Sequence, residues 1–191
     1  MTERYLQMDI LHEAAKAWNE LTKYTYHIQY GKHATAYEIN LRFDKAEFYH
    51  LAGFQYLNDV VLPYRTSHPK IIDAVLTNKI AERHIAKSKN FELVKDRLIA
   101  ISKLEAMLDN QFNIYNFNPK VLPFYTKIPA KNLITAEVGD VIFLFTDDRE
   151  NGETYSKSIF LKRGELDYAK NQKALKILSV EKCLTEKKTV T

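Results

Sequence analysis

Cysteine is almost missing from this sequence: Cys183 stands alone among 191 residues. A single cysteine excludes a disulfide framework and a cysteine-based zinc site, and it suits a reducing compartment, the cytoplasm. Glycine is scarce, with five in the chain, and no run of them could cradle a phosphate. Walker loop, dinucleotide fingerprint, nucleophile elbow and the paired-histidine zinc helix are all lacking, so the sequence carries no cofactor signature. No apolar run approaches the roughly 20 residues that cross a bilayer. Residues 1–5 have no basic region leading into an apolar core, so no secretory leader is read. These absences point to a soluble, intracellular protein with no membrane partner.

What is present is aromatic and unevenly charged. Tyrosine (12) and phenylalanine (10) are plentiful, and 46% hydrophobic content is enough for one good core. The net charge is +4, but the middle third holds most of the excess. Residues 61–131 carry twelve Lys/Arg against six Asp/Glu, while residues 1–60 carry six against eight and 132–191 ten against ten. An excess of this kind can steer a phosphate backbone, although solvated helix faces also produce it.

Periodicity predicts a helix over 3–22, striped by Leu6, Ile10, Leu11, Ala14, Trp18 and Leu21. Two strict alternations follow. Tyr24, Tyr26, Ile28 and Tyr30 share one face, then Tyr37, Ile39, Leu41 and Phe43 share another, around a connection at Gly31-Lys32-His33-Ala34. That is a β-hairpin signal. A helix is expected over 44–58, capped by Asp44 with Glu47 answering three residues later. Ser67 and Pro69 open another helix, a short one is expected near 80–87, and the longest runs from Asn90 to about Asp109. Beyond it, strands are expected near Phe112–Tyr115, at 133–138, at the apolar run 141–145, at 154–162 and at 174–180. Prolines at 119, 123 and 129 break the intervening region. The expectation is an α+β fold: helices packed against an antiparallel sheet, which is a C-terminal meander, with an N-terminal hairpin. A single domain over 1–182 and a polar tail over 183–191 complete it.

Few residues could carry chemistry. His12, His27, His33, His68 and His84 show no paired spacing for a metal. Asp147, Asp148 and Glu150 are dense, but they lack the spaced pattern of a calcium loop and read as a solvated turn, so no metal site is expected. His50 lies on the predicted helix face with Ala46, Phe54 and Leu57, where a structural role is the usual one. The strand at 154–162 sets Tyr155, Lys157, Ile159 and Leu161 on one face and Ser156, Ser158, Phe160 and Lys162 on the other. Two hydroxyls, an aromatic ring and a cation on one strand face can contact phosphate and stack a base.

Phe43-Asp44-Lys45, Phe48, His50-Leu51, Gly53, Leu57 and Asp59 form a pattern that continues discontinuously to about residue 182. Arg97-Leu98 with Leu104, Tyr155-Ser156 and Ser158-Ile159-Phe160 belong to it. The pattern resembles the fourth subgroup of the phage barnase–EndoU–colicin–RelE-like nucleases, found in phages and mobile elements. That resemblance implies helices on an antiparallel sheet and RNA cleavage without a metal. Such cleavage needs a base for the 2′-hydroxyl, an acid for the leaving 5′-oxygen and donors for the phosphorane. The expected catalytic residues are His50 as base or acid, Arg97 as transition-state cation, and Ser158 at the phosphate. Tyr155, Ser156 and Lys162 are the expected substrate contacts. RNA is the expected partner, with a protein antitoxin or inhibitor as a further class. The rival reading is a nucleic-acid-binding or protein-interaction module without catalysis. The catalytic reading requires His50 and the Ser158 strand to meet in one cleft, with His50 unsealed by Phe54 and Leu57.

Overall fold

Seven strands close into a ring. The computed structural model describes residues 9–185 apart from His33 and Thr66. In chain order the strands are β1 (Tyr24–Lys32), β2 (Thr35–Arg42), β3 (Asn113–Asn116), β4 (Asn132–Val138), β5 (Asp140–Asp148), β6 (Thr154–Leu161) and β7 (Ala174–Leu184). Around the barrel they run β1-β2-β6-β5-β4-β3-β7, and β7 returns to β1. All neighbours are antiparallel except β2 and β6, which pair in parallel through Leu41↔Thr154 and Arg42↔Tyr155.

The expected open sheet of helices-against-meander is therefore corrected to a closed mixed barrel. The hairpin itself forms, with Tyr26 opposite Leu41 and Ile28 opposite Ile39. It is not a separate piece, however. Strand β7 runs past Val180 to Leu184 and pairs along β1 from Tyr24 to Gly31. Closure satisfies the row of backbone donors and acceptors that an edge strand would leave open. Alternation shows that a segment is a strand and which side chains share a face. It does not show that residues 150 positions apart are neighbours.

The apolar run at 141–145 is covered on both faces, as its continuity suggests. Ile142 and Leu144 join the main core with Ile28, Leu41, Ile134 and Ile159, while Phe143 and Phe145 join a second cluster with Phe117 and Leu133. Phe160 and Tyr168 pack onto that second cluster.

The helices are α1 (Ile10–Leu21), α2 (Phe48–Leu51), α3 (His68–Leu76), α4 (Glu82–Ile85), α5 (Phe91–Ser102) and α6 (Leu104–Asp109). Asp9 caps α1 by accepting from the His12 amide, and residues 3–8 of the predicted helix lie outside the described residues. Helix α1 packs on α5, and α5 packs on β6, so Trp18, Val94, Leu98 and Ile101 are all fully buried. Burial of each such side chain contributes about 1.5–3 kcal/mol. The long helix expected over 90–109 divides at Lys103 into α5 and α6. Among the described residues no helix is long and apolar enough to cross a membrane.

Candidate active site

The segment carrying His50 is a chain of short turns, not the single helix its spacing suggests. Asp44 Oδ1 accepts from the Ala46 amide at 2.8 Å and the Glu47 carboxylate accepts from the Asp44 amide, so the predicted capping box forms. It opens a 3₁₀ turn, Lys45–Glu47, which passes into the single turn α2. Trp18 Nε1 donates to the Asp44 carbonyl at 3.0 Å and pins the entry to α1. Gly53, at φ +85°, then ends the turn in the left-handed region, and a second 3₁₀ turn follows at Phe54–Tyr56. The break changes which residues share a face. Phe54 and Leu57 turn fully into the core, while His50 is left exposed. His50 is not sealed.

Gly53 is required here for two reasons. Its positive φ suits glycine, and a Cβ would stand 3.0 Å from Arg97 Cδ and 3.3 Å from Tyr56 Cδ2. Gly53→Ala is expected to cost about 2 kcal/mol of stability, read as a lower denaturant midpoint with unchanged slope.

Arg97 is what the glycine makes room for. Its side chain is only 4% exposed and its Nη1 donates to the Leu51 carbonyl at 3.2 Å, at the end of α2. Its guanidinium carbon lies 4.5 Å from the centre of the Phe160 ring on β6 and 5.3 Å from that of Tyr56. Nε is buried without a partner, and among the described residues no carboxylate pairs with this cation. Burial accordingly lowers its pKa from the ordinary arginine value, the Tyr56 and Tyr168 hydroxyls opposing. Arg97 thus fastens the His50 turn to strand β6.

The β6 residues separate. A bulge between Ser156 and Ser158 puts one extra residue, Lys157, into β6, since Thr146 pairs with Ser156 and the adjacent Phe145 with Ser158. The alternation changes phase there. Ser158 therefore shares the face of Phe145 and Phe160, on which Arg97 lies, and is half-buried. Ser156 faces the other way, 2% exposed, beside Thr146 and Asn132 on the neighbouring strands. Its Oγ, Thr146 Oγ1 and the Asn132 amide are buried with no partner. The shared serine face expected from strict alternation does not form. Tyr155 carries the Arg149 guanidinium 5.0 Å over its ring, and Arg149 in turn pairs with Glu47. Lys162 is held by Asp167 at 2.9 Å.

His50 has a neighbour that its sequence gives no sign of. The His68 ring stands edge-on to it with centroids 4.8 Å apart, and Tyr49 stacks flat on His68 at 4.0 Å. Partial burial, then the His68 charge, lower the His50 pKa from its ordinary value. The structure thus joins His50, His68 and Tyr49 in one group, and Arg97, Tyr56 and Phe160 in another. The acidic turn is neutralised from within: Asp147 pairs with Lys157, and Asp148 with Lys131. Among the described residues no three His, Cys, Asp or Glu side chains are grouped to hold a metal ion.

A family model described as phage-Barnase-EndoU-ColicinE5/D-RelE like nuclease4 matches residues 10–191 of the chain. The chain belongs to this nuclease-like family. No curated protein and no solved structure matches it. In this family member, the blocks at 43–59, 97–98 and 155–160 adjoin α2, because α2 packs on β6 and Arg97 of α5 donates to Leu51.

Sequence reasoning missed three residues that the structure places beside the candidate ones. His68 lies 18 residues from His50 beside a helix cap, and Arg149 sits in a turn read as acidic; neither carries a local signal. Glu47 was legible only as a cap. Its burial raises the carboxyl from the ordinary 4.5 to about 7, against the opposing charge of Arg149. A carboxyl raised on folding stabilises the protein fully below pH 4.5, and that contribution is lost as pH rises through 7. Relative to wild type, Glu47→Gln should therefore gain stability by up to roughly 3 kcal/mol across that window, measured by denaturation at stepped pH.

Proposed function

We propose that this protein is a metal-independent ribonuclease of phage or mobile-element toxin type. The observation carrying that reading is the exposed His50 imidazole on a turn that Arg97 fastens to strand β6. In this reading His50 exchanges a proton with the 2′- or 5′-oxygen, the step for which an imidazole near neutral pKa suits metal-free cleavage. Ser158 donates to a non-bridging phosphate oxygen from the Arg97 face of β6. Arg97 positions the His50 turn, and its charge, which no carboxylate among the described residues offsets, favours a phosphodiester nearby. Tyr155 offers a ring for a splayed base, and Lys162 lies just past the end of β6 for a flanking phosphate. Ser156, turned inward, is given no substrate contact. Metal independence is supported by this acid–base chemistry and by the carboxylates Glu47, Asp147 and Asp148 each being held by a cation.

A nuclease of this type acts on RNA in the cytoplasm, and its producer needs a protein inhibitor that covers the His50 turn. The test is end-labelled RNA incubated with purified protein, with and without EDTA, beside the same RNA carrying 2′-deoxy substitutions. Cleavage that survives EDTA and stops at deoxy positions is expected. Salt-sensitive binding with no cleavage would leave the non-catalytic module as the better account.

A further inference from the structure

The described histidines fall into two groups. His12 bonds the Val75 carbonyl, His27 bonds Asn40, and His84 accepts from the Ala81 amide. His50 and His68 form no ring hydrogen bond or ion pair, and they face each other at 4.8 Å. Resting on the ribonuclease reading, we propose that His68 is a second catalytic residue, forming with His50 the acid–base couple of the cleavage.

The geometry suits that role. His68 opens α3, and its ring lies nearly parallel to Tyr49, at 6°, while His50 is at 88° to it. Stacking on the buried Tyr49 ring holds the His68 ring without occupying either of its nitrogens. Two positive imidazoles at this separation repel, so the pair passes through a state with one ring protonated and one neutral. That is the state the reaction uses. The neutral ring takes the 2′-hydroxyl proton as the O2′–P bond forms, and the charged ring gives its proton to O5′ as the P–O5′ bond breaks. The products are a 2′,3′-cyclic phosphate and a 5′-hydroxyl, and the couple ends with one proton, moved from one ring to the other.

Most of the surrounding charges are otherwise engaged. Lys45 on the preceding turn pairs with Asp73 of α3, Glu47 with Arg149, and Lys157 of β6 with Asp147. Tyr56 lies against Arg97, and Lys70 on α3 is exposed. His68 is the charge that acts on the His50 pKa.

The experiment compares wild type with His68→Gln, by pH–rate profile for RNA cleavage and by NMR titration of the histidine rings. For wild type, a two-limbed profile is expected, with His50 titrating below an ordinary histidine. In His68→Gln, kcat/KM should fall about 100-fold, one limb should vanish, and His50 should titrate closer to an ordinary histidine. A cleaving wild type whose His68→Gln variant keeps both limbs and stays within about twofold in rate overturns the couple alone. A wild-type His50 that titrates as an ordinary histidine overturns it too, even where the variant folds poorly. A wild type that shows coupled histidines but cleaves no RNA overturns the ribonuclease reading, and the proposed role of His68 falls with it.

Discussion

His50→Ala is expected to lower the RNA cleavage rate by about 10²–10⁴-fold while leaving the melting temperature within a degree or two of wild type. The two halves of that statement come from the same fact. His50 is exposed, and among the described residues its ring forms no hydrogen bond, so truncating it leaves no cavity and no orphaned partner there. Its backbone role stays intact, since the carbonyl that accepts from Gly53 and from Gln55 Nε2 does not depend on the side chain. A structural histidine gives the opposite result, a lower melting temperature with activity lost only in proportion. Rate and melting curve measured on one preparation separate the two.

Arg97→Ala is expected to cost about 3 kcal/mol of stability and to abolish most cleavage. The substitution removes the donor to the Leu51 carbonyl and the cation between Phe160 and Tyr56, and it opens space beneath Gly53. An orphaned buried carbonyl accounts for roughly 1–3 kcal/mol, and a desolvated cation–π contact for up to about 2. Arg97→Lys should recover little. An ammonium cannot both reach the carbonyl and lie flat against two rings. Arg97→Met separates packing from charge: the apolar chain fills the space and should restore part of the stability, while cleavage stays low. Full cleavage in Arg97→Met would remove the cation from the account. Equilibrium denaturation with a parallel rate measurement decides between these outcomes.

Much of this site was legible in the residues, and the parts that were not share a cause. The capping box at Asp44 and Glu47, the hairpin and the doubly covered strand at 141–145 follow from local chemistry and period, and they form as expected. The part of the discontinuous pattern through Leu51, Gly53, Arg97 and Phe160 marks residues that meet in space, since Arg97 touches the turn, the glycine and the ring together. What escaped depends on geometry over long separations or on a single irregular residue. Barrel closure rests on β1 meeting β7. The fate of the two serines rests on one bulged residue, which turns Ser156 inward and leaves Ser158 outside. The exposure of His50 rests on Gly53 ending the helix one turn early; a helix continued through 58 would have set the imidazole beside Phe54 and Leu57. His68 reaches His50 only because α3 folds back over α2.

The central claim is cleavage through the 2′-hydroxyl with no metal in the step, and the ends of the products report on it directly. RNA digested by the purified wild-type protein in excess EDTA should carry 2′,3′-cyclic phosphate and 5′-hydroxyl termini, resolved by mass spectrometry of the fragments. Products ending in 5′-phosphate, formed only when a divalent cation is restored, would contradict the account.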